Sequence, residues 1–143
     1  NMGQLKEARP LLEEALQARK ETLGDRHPET LTSIGNMGLL LKQMGQLEEA
    51  RPLYEEALQA KRETLGDRHP STLISIYNMG ALLETQGMLA EAIPLFTEEL
   101  EGLVVLRGME YQETRDSAEH LAGLLRDAGQ HDEATALAAK HGL

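Results

Sequence analysis

The chain has no cysteine and no tryptophan, one phenylalanine and three tyrosines. Without thiols there can be no disulfide, thiolate metal site or cysteine nucleophile, which accords with an intracellular, cytoplasmic location. With so few rings, the core must be built from Leu, Ala, Met and Ile. Positive charge is also scarce: 14 basic residues stand against 24 acidic ones, a formal net charge of -10. Nucleic-acid binding draws most of its affinity from cations that neutralise phosphates, so no nucleic-acid partner is expected, and anionic membrane surfaces are disfavoured in the same way. Long apolar runs are missing as well. The strongest in the last third is Leu103–Leu106, "LVVL", against the roughly 20 residues a bilayer span needs. No membrane insertion is expected and no signal peptide is visible. The chain starts at Asn1 in mid-pattern, as a piece of a longer array would.

What the chain does have is a repeat. Ala8, Ala50, Ala92 and Ala134 are spaced by 42, as are Gly3, Gly45, Gly87 and Gly129. The block from Ala8 to Glu49 is identical to that from Ala50 to Glu91 at 30 of 42 positions, whereas in the third block "LGDRHP" has become "RGMEYQ". Within a period the apolar spacing is helical: Leu73, Ile76, Met79, Gly80 and Leu83 share one face, followed by Leu89, Ala92, Phe96 and Leu100 on a second helix. Leu47, Ala50, Tyr54, Ala57 and Leu58 form the matching stripe one unit earlier. Pro28 and Pro70 suit a first helical turn. Gly45 and Gly87 stop the first helices, and Gly24 and Gly66 supply left-handed caps for the second. Helix starts are expected near Gln4, Glu29, Gln46, Ser71, Met88, Glu113 and Gln130, with no strands. Pro10, Pro52 and Pro94 fall inside the second helices, where recurrence predicts a bend on the outer face instead of a break.

The expected fold is therefore all-α, a single solenoid of antiparallel helix pairs over residues 1–143. Residues 1–28 would be the second helix of an incomplete repeat and its loop, 29–70 and 71–112 full repeats, and 113–143 a divergent C-terminal repeat. Leu5, Ala8, Leu12 and Ala15 form a stripe without its partner helix. That stripe is expected to be exposed, and to pack on a further repeat or on another chain.

The recurring "GDRHP" tests whether the chain is an enzyme. His27 and His69 each follow Asp-Arg, but no serine or cysteine recurs beside them to serve as nucleophile, and one repeat separates them, too far to share a metal. The segment reads as the joint of a copied unit. His131 beside Asp132 and Glu133 points in a different direction from its neighbours on a helix, so no metal site is expected. No cofactor is implied. Met37 and Met79 fall at core positions. The acidic pairs Glu13–Glu14, Glu55–Glu56 and Glu98–Glu99 recur on the second helices and are expected to form a solvated face. Asn36 and Asn78 differ from all of these. Asparagine is a poor mid-helix residue, so its recurrence calls for either a bound peptide backbone or a bond to the adjoining unit.

The small and large residues Gly38, Gly80, Gly45, Gly87, Ala50, Ala92, Tyr54 and Phe96 resemble the tetratricopeptide repeat signature. The 42-residue period, with "LG..HP" between units and "NMG" in the first helix, is similar to the repeats of kinesin light chains and nephrocystin-type arrays. The resemblance implies a right-handed superhelix whose first helices line a groove. It also implies that Asn36 and Asn78 contact the backbone of an extended peptide, with His120 at the same position in the third unit. Helical spacing adds Thr32 and Leu39 in one unit and Ile74, Tyr77 and Ala81 in the next. It also puts Lys42, Glu84, Asp116, Glu119, Arg126 and Asp127 inward, a mixed, partly apolar channel with acidic character toward the C-terminus. Gly35 and Leu39 stand where the chaperone-binding members carry clamp Lys and Asn, so binding of a terminal carboxylate is not expected. The leading expectation is a non-catalytic module that binds a peptide of a partner protein. The alternative is a scaffold that docks through its edges and convex face.

Overall fold

A computed structural model describes residues 1–143. It contains seven helices and no strand: α1 (Met2–Leu23), α2 (Pro28–Gln43), α3 (Leu47–Leu65), α4 (Pro70–Thr85), α5 (Leu89–Arg107), α6 (Gln112–Asp127) and α7 (His131–His141). Every helix starts within two residues of its expected position. The chain divides into two compact units, Asn1–Gly66 with α1 to α3 and Asp67–Leu143 with α4 to α7.

In the first unit α2 packs against both α1 and α3. Leu31, Ile34, Ala57 and Ala60 form one cluster of its core, with Leu16 and Leu53 against them. The stripe of α1 is not bare, as had been expected. Leu5, Ala8, Leu12 and Ala15 are half-buried, although no residue of α1 is fully buried. The cover comes from packing on α2, and Arg9 ties α1 to the start of α3 by donating to Gln46 Oε1 at 2.8 Å and Glu49 Oε2 at 3.0 Å. In the second unit α5 packs on α4 and α6, and α7 on α6.

One contact sets how closely a first helix approaches its second. The Tyr54 ring lies on Gly38, where a Cβ would be 3.3 Å from it, and the Phe96 ring lies on Gly80, where a Cβ would be 3.0 Å away. Any side chain at these glycines would push the helix axes apart. In the third unit the exchange runs the other way: Ala122 takes the glycine's register and Ala138 the ring's.

The joints follow from local chemistry. After α2, Gly45 at φ 78° donates to Lys42 O, and Gln46 N donates to Leu41 O at 2.8 Å. This paired closure satisfies carbonyls left over at the helix end. It recurs at Gly87–Met88 and Gly129–Gln130. Gly24 and Gly66 differ from the left-handed caps expected of them. With φ near 90° their ψ values are 164° and 161°, an extended mirror-image conformation open essentially to glycine alone. It turns the chain out of the helix at once, into the "DRH" turn. His27 and His69 are N-caps: each Nδ1 accepts from a backbone N–H, of Glu29 at 3.1 Å and of Ser71 at 3.0 Å. Tyr111, in the same register, makes no such bond. Pro10, Pro52 and Pro94 are exposed and each helix continues through them.

Replacing His27 or His69 by Ala should therefore cost about 0.5–2 kcal/mol, the range for a lost N-cap, while Asp at either position should restore most of it. Urea unfolding of the single variants measures this, and His27→Ala without effect would remove the capping role.

Candidate functional site

On each first helix the residues left outside the core form a line. Thr32, Asn36 and Leu39 are exposed on α2, and Ile74 is exposed on α4 with Asn78 and Ala81 half-buried. The same registers on α6 hold Asp116, His120 and Gly123. Spacings of three and four place each set on one helical face. Thr32 is turned inward to its own helix, its Oγ1 donating to Pro28 O at 3.0 Å. Asn36 and Asn78 form no hydrogen bond through their side chains within the chain. Both amides are thus left with donors and an acceptor available.

Within the second unit, Ile74, Tyr77 and His120 meet around an open cleft of about 570 Å³ between α4, the end of α5 and α6. Asn78 and Ala81 do not line it. Leu73 and Leu103 form apolar lining. Phe96, which rests on Gly80, also organises the nearby rings: Tyr77 meets it edge-on at 5.7 Å and His120 at 4.6 Å. His120 Nε2 lies 2.9 Å from Glu84 Oε1, which joins α6 to the end of α4.

Glu99 corrects the expectation of a solvated acidic face. It is only 8% exposed, lines the cleft, and its Oε1 accepts from Ser117 Oγ at 2.7 Å. The reason is register. Glu98, not Glu99, matches Glu14 and Glu56 at the 42-residue period, whereas Glu99 matches Ala15 and the buried Ala57. That offset was the signal available in the sequence. Burial holds the Glu99 carboxyl above its ordinary range. The Ser117 hydrogen bond opposes the rise, Glu113 adds to it and His120 opposes it.

Elsewhere the side chains with chemical potential are dispersed. No group of three or more His, Asp or Glu is placed to hold a metal ion, and His131, Asp132 and Glu133 are all exposed. Met37 and Met79 are buried in the core. No helix is long and apolar enough to cross a membrane.

A family model described as tetratricopeptide repeat matches residues 1–63 and 33–103, and the chain belongs to that family. Among solved structures it is similar to nearly identical TPR-like repeats of a Podosopora anserina protein assigned to the kinesin light chains. The TM-score is 0.87 and the identity 28%, over 97% of this chain and 66% of that one. A variant of the same repeats gives 0.86 with the same identity and coverage. BtubC (BKLC) from P. vanneervenii gives 0.82 at 19% identity, over 98% of this chain and 56% of that one, and shares the fold. This chain thus spans just under two thirds of the first two of those chains. None of the curated proteins compared with it matches. The repeats are of the kinesin light chain type, and the chain is a protein–protein interaction module.

The Glu99 carboxyl yields a test of the cleft. Its folded-state value lies above that of the unfolded chain, so the native state holds the proton more tightly. Stability from that proton is present at acid pH and is lost as pH rises from the ordinary carboxylate range through the raised value. Glu99→Gln keeps an oxygen for Ser117 and carries no charge. It should raise the melting temperature at neutral pH, with the gain fading toward acid. A lower melting temperature at neutral pH would show that the carboxylate is stabilising instead.

Proposed function

We propose that the module binds an extended segment of a partner protein on the exposed faces of its first helices, with Asn36 and Asn78 each holding one peptide unit. The observation that carries this reading is the pair of unbonded amides at the same register of α2 and α4. A carboxamide offers both a donor and an acceptor, which is the complement of a backbone peptide group. An Asn whose purpose was to join two units would spend those groups inside the chain. Leu39, Ile74 and Tyr77 add apolar surface beside the amides, and Tyr77 is a rigid wall held by Phe96. The reading makes the module non-catalytic and leaves selectivity to the side chains around each amide.

The experiment selects binders from a display library of random peptides on the unaltered protein. Affinity and thermal unfolding are then measured on Asn36→Ala, Asn78→Ala and the double variant. Each replacement should weaken binding roughly 5- to 150-fold, the cost of a desolvated peptide group left unpaired, with the melting temperature nearly unchanged. Tyr77→Ala should also weaken it. Lost stability with unaltered binding would defeat the reading and favour a scaffold that docks through other surfaces.

A further inference from the structure

The cleft of the second unit departs from the repeat at the positions that line it. Glu99 stands in the register of Ala57, Leu103 in that of Lys61, Asp116 in that of Ile74 and His120 in that of Asn78. These exchanges remove a lysine and an amide and bring in two carboxylates and an apolar residue. Glu113 lies on the same lining. One oxygen of Glu99 is bonded to Ser117, while the other has no hydrogen-bond partner in the chain. Burying a carboxylate without a cation is costly. No lysine or arginine of the chain pairs with Glu99: Arg107, the guanidinium on the lining, is placed over the Tyr111 ring, 5.5 Å from its centroid, and makes no ion pair with Glu99. His120 is engaged by Glu84.

We infer that this cleft receives a lysine or arginine side chain of the partner segment, with its methylenes on Leu73, Ile74 and Leu103 and its cation at Glu99, flanked by Glu113 and Asp116. Long basic side chains combine an apolar stem with a charged head, and the lining offers a surface for each. The net charge of -10 favours encounter with a basic segment. The inference rests on the peptide-binding reading and adds the chemistry of one anchor residue.

Peptides selected from the random library should share one basic position. A synthetic pair differing only by lysine or norleucine there, titrated into the protein and its Glu99→Gln variant, tests the anchor. Loss of either charge should weaken binding roughly 10- to 150-fold, the range for a hydrogen bond to a charged group, and the two losses should not add. Affinity for the lysine peptide should rise with pH above the ordinary carboxylate range, and Glu99→Gln should flatten that rise. Glu113, Asp116 and the Glu84–His120 pair face the same space, so Glu113→Gln serves as a second variant, with a smaller loss in the same direction. Selected peptides without a basic position, or with affinity indifferent to Glu99→Gln and Glu113→Gln, would overturn the anchor while leaving peptide binding intact. No selected peptide at all would overturn both.

Discussion

An aromatic ring packed against a glycine is the constraint from which the rest of the structure follows. In α3 and α5 the ring belongs to Tyr54 and Phe96, and in α2 and α4 the glycine is Gly38 and Gly80. Close approach at that point lets short aliphatic residues such as Ala50, Ala57, Ala92, Leu31 and Leu73 complete a core that contains few other rings. It also fixes which side of each first helix is left over. With Gly80 and Met79 turned to the core, Asn78 and Ala81 have only the opposite side. The same ring holds Tyr77 and His120 edge-on, so the packing contact and the candidate binding surface share a residue.

The surface that remains has a repeated part and a divergent part. The asparagines recur in register, as a device suited to any extended backbone. Glu99, Leu103 and His120 occur once, where the third 42-residue block has drifted, and would supply selectivity. A repeat array can combine the two because each unit is tied mainly to its neighbours, so one cleft can change without disturbing the joints.

Much of this was legible in the sequence because it rests on period and on small residues. The 42-residue spacing and the Gly, Ala and aromatic positions gave seven helices close to their observed starts. One feature was legible only by counting register, and two were not legible. The acidic pairs looked alike until register was counted, and a slip of one residue separates a half-buried Glu98 from a buried Glu99. Glycine at a helix end signals a positive φ but leaves ψ open, so the extended turn at Gly24 and Gly66 could not be told from a left-handed cap. The capping by His27 and His69 depends on a ring nitrogen reaching two residues ahead, which "DRHP" does not announce.

The ring-on-glycine contact can be tested by a double-mutant cycle on the second unit of the chain. Gly80→Ala, Phe96→Leu and the double variant would be compared by urea unfolding. A Cβ 3.0 Å from the ring makes Gly80→Ala an overpacking change, expected to cost about 1–3 kcal/mol. The cost should be much smaller once Phe96 is replaced, because the clash goes with the ring, giving a coupling within the range of about 0.5–3 kcal/mol found for residues in contact. Equal costs in the two backgrounds would mean that the ring does not set the helix spacing, and would contradict the account.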